Sequence, residues 1–265
     1  MLAPHISVVN LGCRVNRVES DRITADLMRL GFAIVEPQDA DLIVINTCAV
    51  TGEAEAKTRK AVRHALAHPN EPYVVVTGCV VNLHPEELSE LSDRVIAEPS
   101  KIDVAERVCE VLGVESDSVP ACSDGEVVDA LGRSRLGVKI QDGCNQFCSY
   151  CIIPFVRGRV RSRKQEDVLA EVRGLAEKGF QEVVITGIHL SSYGMDFIGE
   201  TDGDYLKNGK DLRGTAFERA YLVSLLEEIA KVDGIRRIRL GSLEPRIITE
   251  EFAGRLAAIP QLLSL

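Results

Sequence analysis

Cys144, Cys148 and Cys151 are the residues whose type and spacing carry the most chemistry in this chain. They lie in Asp142-Gly143-Cys144-Asn145-Gln146-Phe147-Cys148-Ser149-Tyr150-Cys151, a C-x3-C-x2-C pattern with an aromatic, Tyr150, just before the last cysteine. Thiolates this close can hold three irons of a cubane iron–sulfur cluster and leave the fourth iron open to bind and split a small ligand. That reading points to an enzyme, with zinc as the alternative. A structural zinc site usually takes four ligands in paired spacings, and the nearest further cysteine is Cys122. Disulfides need an oxidising compartment, and the start of the chain, Met-Leu-Ala-Pro-His-Ile, has no charged n-region or apolar h-region of a secretory signal.

Three other cysteines share a topological position. Residues 5–11, 42–46 and 73–77 are short apolar, β-branched runs of strand type, separated by helical stretches at 19–30 and 53–67. Strand–helix–strand units of this length predict a doubly wound parallel sheet, in which ligands bind at the carboxyl ends of the strands. Cys13, Cys48 and Cys79 each follow one of these runs by two residues, so the fold gathers them at one edge as a second candidate metal site. Gly12 and Gly78 allow close backbone approach there, and Asn46-Thr47 can donate hydrogen bonds to sulfur. Cys109 falls in a helical pattern at 104–112 and reads as core; Cys122 lies in a polar loop with no assigned role.

Composition is that of an ordinary globular protein of 265 residues, 45% hydrophobic and 27% charged, with room for two domains. No apolar run approaches a membrane span, and eight cysteines without a signal sequence point to a reducing cytoplasm. A net charge of −9 argues against non-specific nucleic-acid binding, which rests on neutralising phosphates. The charge is uneven, however. Arg157, Arg159, Arg161, Arg163 and Lys164 follow the cysteine triplet within eight residues. On an extended segment alternate arginines share a face, so this row is either a solvated face or, beside a catalytic cluster, a candidate grip on a phosphate backbone.

From about 113 to 134 the pattern dissolves into Ser, Asp, Gly and Pro, a linker or loose hairpin. A second strand–helix series follows: strand 136–141 into the cysteine triplet, helix 165–178, strand 182–186, helix 221–232, strand 235–240, helix 250–258 and the start of a strand at 262–265. A polar, glycine-rich stretch at 194–214 suggests a lid or substrate loop. The series predicts part of a β/α barrel with its chemistry at the carboxyl ends of the strands. Three and a half units cannot close such a barrel, so the remainder is expected outside this chain. The domains expected are 1–117, a linker at 118–134, and 135–265.

These residues resemble a known group. The C-x3-C-x2-C pattern is similar to that of the S-adenosylmethionine radical enzymes. The longer run from Gln141 to Pro154, continuing to Arg157-Gly158-Arg159, resembles the methylthiotransferases among them. Leu11-Gly12-Cys13-Arg14-Val15-Asn16, Asn46-Thr47-Cys48-Ala49-Val50-Thr51 and Thr77-Gly78-Cys79 resemble the first domain of the same group. Thr186-Gly187-Ile188-His189-Leu190-Ser191-Ser192-Tyr193-Gly194 and Arg239-Leu240-Gly241-Ser242-Leu243-Glu244-Pro245 look most like the branch acting on N6-threonylcarbamoyladenosine in tRNA.

The resemblance implies two [4Fe–4S] clusters and S-adenosylmethionine. Cys144, Cys148 and Cys151 would hold the radical-generating cluster, whose open iron binds S-adenosylmethionine. Cys13, Cys48 and Cys79 would hold the auxiliary cluster carrying the sulfur to be inserted. The target would be C2 of the adenine at position 37, next to the anticodon. Tyr150 is expected near the adenosyl group, with Thr186, Gly187, Ser242 and Glu244 as cofactor-holding candidates by position. Partners implied are tRNA and an electron donor such as a flavodoxin-type reductant. Two rivals stand beside this reading: a methylthiotransferase of a ribosomal-protein aspartate, and a non-catalytic iron–sulfur or zinc protein.

Overall fold

The computed structural model describes residues 4–114, 136–197 and 216–262. The expected linker at 118–134, Cys122, most of the 194–214 stretch and residues 263–265 lie outside the described residues. The chain divides into two compact units, Met1–Val127 with Tyr150–Val156, and Val128–Ser149 with Arg157–Leu265. Among the described residues no helix is long and apolar enough to cross a membrane.

The first unit is built on a parallel sheet of β1 (His5–Asn10), β2 (Ala33–Ile34), β3 (Leu42–Thr47), β4 (Tyr73–Gly78) and β5 (Val95–Glu98). Its order, β2-β1-β3-β4-β5, is that of flavodoxin-like doubly wound folds. Every residue of β3 is buried, as expected where helices cover both faces of a parallel sheet. Alternate residues serve the two faces. Ile43, Ile45, Val74 and Val76 pack with Val62 and Ala65 of α2 (Gly52–Leu66). Leu42, Val44 and Val75 pack with Ile23 and Leu27 of α1 (Arg14–Arg29) and Val104 and Val108 of α5 (Val104–Leu112). Cys109 belongs to this second cluster at 2% exposure, as its helical pattern implied. Two short helices, α3 (Cys79–Leu83) and α4 (Pro85–Ser89), follow β4 directly.

The second unit holds β6 (Leu136–Asp142), β7 (Arg161–Ser162), β8 (Glu182–Gly187) and β9 (Arg237–Leu240) in the order β7-β6-β8-β9. β6, β8 and β9 are parallel, and β7 runs antiparallel to β6. A bridge from Leu262 to Ile238 adds the first residue of a further parallel partner. Short helix α6 (Ile153–Arg157) follows the cysteine loop, and α7 (Gln165–Glu177), α8 (Ala216–Ala230) and α9 (Glu250–Ala257) follow β7, β8 and β9. One core cluster joins Val138, Ile140, Ile185 and Ile238 to Val172, Leu226 and Phe252 on those three helices. Helices on a single face of a parallel sheet make an arc of a β/α barrel rather than a second doubly wound domain.

Three differences from the sequence reading have local causes. Helix α1 begins at Arg14, not near 19, because Cys13 caps it through the backbone alone and its first turn holds no acidic residue. The usual start signal is therefore missing. Strands β2, β5 and β7 run only two to four residues, too short to show periodicity. β9 starts at Arg237 rather than 235.

Gly174 lies inside α7, and a Cβ there would meet nothing within 4 Å. Gly174→Ala should raise stability by about 1 kcal/mol, since glycine in a helix interior costs that much relative to alanine. An upward shift in the urea midpoint would show it; an unchanged or lower midpoint would contradict it.

Candidate functional site

The carboxyl edge of the first sheet carries Cys13, Cys48 and Cys79. Register explains their meeting. Asn10 pairs with Asn46 across β1 and β3, and Thr47 pairs with Gly78 across β3 and β4, so the next residues of each strand leave the sheet side by side. Cys13 is exposed at the head of α1, while Cys48 and Cys79 are 7% and 2% exposed. Burial pushes the Cys48 thiol up, the backbone N–H groups of Val50 and Cys13 pull it down, and the nearby Cys79 and Cys13 raise it further. Cys48 thus lies close enough to both other cysteines to feel their charge.

A polar lattice fixes that edge. Asn16 is fully buried; its Nδ2 donates to Thr47 O at 2.6 Å and to Asn46 Oδ1 at 3.3 Å. Asn46 Nδ2 returns a bond to Asn16 O at 2.9 Å and a second to Ser20 Oγ at 3.0 Å. The Cys13 thiol faces Asn16 Oδ1 at 3.6 Å. Gly78, at φ +100, leaves no room for a side chain, since a Cβ would sit 2.5 Å from Thr47 O. One hydroxyl here, Thr77 Oγ1, is buried without a hydrogen-bond partner.

The second edge belongs to the barrel arc. Its register shifts between Lys139 and Gln141, a bulge that turns the end of β6. Gln141, 1% exposed, uses its whole amide: Nε2 donates to the carbonyls of Asp142 and Gly143 at 2.7 Å, and Oε1 accepts from His189 N at 2.8 Å. Asp142 accepts from Gly143 N at 2.8 Å and pairs with Lys139 at 2.7 Å and Arg157 at 3.2 Å. Cys144 follows, 7% exposed, its N–H bonded to Gly158 O at 3.1 Å and its sulfur accepting from Gln146 N at 3.4 Å. Cys148 is exposed and Cys151 half-buried.

Thr186 is buried at the end of β8, Gly187 and Glu244 are half-buried, and Ser242 and Tyr150 are exposed, Tyr150 at 90%. Sequence reading missed the groups that hold Glu244. His189 Nε2 lies 3.2 Å from its carboxylate, His189 Nδ1 lies 2.6 Å from Ser192 Oγ, and Glu244 N donates to Ser191 Oγ at 3.0 Å. Only the quoted His-Leu-Ser-Ser segment hinted at them.

The arginine row is not one extended segment. Arg157 ends α6 and is buried against Asp142, and Gly158 turns the chain at φ +74. Arg159 is exposed and stacks on the Phe147 ring at 4.4 Å. Only Arg161 of the row is in a strand; it is exposed, donating to Arg157 O at 3.1 Å. Arg163 is tied to Glu171 and to Lys139 O at 3.0 Å, and Lys164 is exposed ahead of α7. Alternation therefore does not put the five cations on one face.

Among the described residues no group of three His, Cys, Asp or Glu side chains can hold a single metal ion. Zinc needs all its ligands about 2.3 Å from one point, whereas a cubane takes one thiolate per iron and suits a wider set. The first-unit cysteines, with two backbone N–H groups aimed at Cys48, fit the multi-iron group better than zinc.

Comparison with known proteins agrees with these features. A family model described as the uncharacterized protein family UPF0004 matches residues 5–97, and the radical SAM superfamily model matches 138–260. Threonylcarbamoyladenosine tRNA methylthiotransferase MtaB of Chlamydia pneumoniae is 37% identical over 92% of this chain and 52% of its own length. A tRNA-2-methylthio-N(6)-dimethylallyladenosine synthase of Thermotoga petrophila is 33% identical over 96% of the chain and 55% of its own. The ribosomal protein uS12 methylthiotransferase RimO of Desulfitobacterium hafniense is 30% identical over 97% of the chain and 56% of its own. The chain thus spans about half the length of these curated relatives. The solved structure of the radical S-adenosylmethionine methyltransferase TsrM from Kitasatospora setae shares the fold at 16% identity, with a TM-score of 0.55 over 97% of this chain and 59% of that one.

Proposed function

Because the chain belongs to the radical S-adenosylmethionine methylthiotransferase family, we propose that it is the cytoplasmic enzyme, or the greater part of one, that adds a methylthio group to C2 of N6-threonylcarbamoyladenosine at position 37 of tRNA. The observation carrying the reading is the gathering of Cys13, Cys48 and Cys79 at one sheet edge of the first unit, in a chain that also carries a C-x3-C-x2-C loop after a parallel strand of its own. The choice of base is supported by the Chlamydia MtaB at 37% identity and by the 186–194 and 239–245 segments, while other MtaB relatives at 32% stand level with the 33% and 30% of the other two branches.

Cys144, Cys148 and Cys151 hold one [4Fe–4S] cluster and Cys13, Cys48 and Cys79 the other, the latter within a domain of residues 1–117. With S-adenosylmethionine bound, such a cluster would supply the one-electron chemistry that activates an aromatic C–H bond. The chain's own residues set the stage. Gln141 and Asp142 pin the loop that presents Cys144, while the N–H of Gln146 is placed to stabilise its thiolate. His189, Ser191 and Ser192 hold Glu244 at the strand ends. From there Glu244, Ser242, Thr186 and Gly187 would hold polar groups of S-adenosylmethionine, with Tyr150 near its adenosyl group. A flavodoxin-type reductant delivers the electron.

Nucleoside mass spectrometry of tRNA from a strain lacking the protein should show threonylcarbamoyladenosine without its methylthio group. Retention of that group would overturn the assignment, and loss from dimethylallyladenosine or from the ribosomal protein uS12 would move it to another branch.

A further inference from the structure

Five cations follow the cysteine loop, and the structure sorts them into two kinds. Arg157 and Arg163 are struts. The first is buried at 5% side-chain exposure on Asp142; the second is bound to Glu171, to Lys139 O and to Asp167 O. They brace the segment and are not presented to a ligand. Arg159, Arg161 and Lys164 keep exposed heads, Arg161 at 65% even though its guanidinium also reaches Asp142 at 3.8 Å and Arg157 O at 3.1 Å.

Phe147 stands beside one of these exposed heads, that of Arg159. It is one of two described non-glycine residues with positive φ, at +46. That conformation strains a non-glycine residue, and it persists only where surrounding structure demands it. Here the strained backbone leaves a phenylalanine 43% exposed, with the guanidinium of Arg159 4.4 Å from its centroid. A phenylalanine left 43% exposed beside an exposed cation is not the usual disposition of so large an apolar side chain. It is, however, the pairing of surfaces on which an unpaired nucleobase stacks. Elsewhere the chain is acidic, with a net charge of −9, so the neighbouring cations mark a local footprint for phosphate.

We infer that Phe147 and Arg159 form a stacking platform for an unpaired base of an RNA loop, with Arg161 and Lys164 gripping the flanking phosphates. This rests on the tRNA reading above and adds to it the residue that receives a base. A paired base has both faces covered, so the platform selects loops over duplex.

The chain has no tryptophan, so Phe147→Trp places a single fluorescent reporter at the platform. With the reconstituted protein, titration with an anticodon stem–loop RNA should quench the Phe147→Trp emission. A fully paired RNA of equal length should not. Phe147→Ala should weaken stem–loop binding by about tenfold and leave duplex binding unchanged, with Arg159→Ala weakening stem–loop binding similarly. Lys164→Ala should weaken both RNAs alike and lower the salt slope by about one. Unchanged iron content and urea midpoint in Phe147→Ala will show that the loop still folds. If the wild-type chain binds the stem–loop and Phe147→Ala binds it equally well, the platform is wrong and the tRNA reading stands. If the wild-type chain binds neither RNA, both fall.

Discussion

Replacing Cys13, Cys48 and Cys79 together by alanine is expected to lower iron and sulfide from about eight to about four of each per chain. The reconstituted variant should keep the change in its electron paramagnetic resonance signal on adding S-adenosylmethionine. The expectation follows from the separate placement of the two cysteine sets, one at the ends of β1, β3 and β4 and the other in the loop after β6. Removing all three residues matters, because two remaining thiolates beside the backbone donors at Cys48 can retain part of a cluster. Folding should survive. Cys13 is exposed, and losing the buried sulfurs of Cys48 and Cys79 costs about 1 kcal/mol each, within the margin of a normal domain. The reciprocal variant, alanine at Cys144, Cys148 and Cys151, should also keep about four irons but lose the response to S-adenosylmethionine. Iron that stays near eight in the first variant, or falls to none, would refute the two-cluster assignment.

How far this arrangement was legible in the sequence depends on the distance over which each feature is encoded. Strands β1, β3 and β4 were visible because each is an apolar run long enough to be read alone, and a cysteine two residues past each run then implied a shared edge. The supports of that edge were hidden. Asn16 binds Asn46 and Thr47 from thirty residues away, and although it closes the quoted Leu11–Asn16 run, nothing in that run shows what it bonds. Its place in the first turn of α1 was also lost, because that helix starts without a side-chain cap. The arginine row shows the opposite failure, a local pattern that suggested too much. Its alternation is regular in sequence, but Asp142 and Glu171 lie on other elements and draw Arg157 and Arg163 inward. Likewise His189 and Glu244 are 55 residues apart and meet only because β8 and β9 are parallel neighbours.

Gly143→Ala is expected to lower stability by about 3 kcal/mol or more and to strip iron from the Cys144 loop. Gly143 has φ +69, where any other residue is strained, and its surroundings admit no Cβ: that atom would lie 2.0 Å from Arg159 O and 2.7 Å from Gly158 O. Both obstacles are backbone, so no side-chain rotation relieves them. Neither strand is free to move apart. Gly158 O is held by Cys144 N at 3.1 Å, Gly143 O by Gln141 at 2.7 Å, and Gly143 N by Asp142 at 2.8 Å. Asp142 is itself anchored by buried Arg157, so a shift at position 143 must disturb a charged pair as well as these three hydrogen bonds. Gly31→Ala is the control. Its φ is +83, yet nothing lies within 4 Å of the added atom, so it should cost only about 1 kcal/mol of conformational strain. Urea unfolding of the two variants separates strain from collision. Equal midpoints would mean that the loop after β6 yields to an added methyl, and that the close packing of Gly143 on Arg159 is not what presents Cys144.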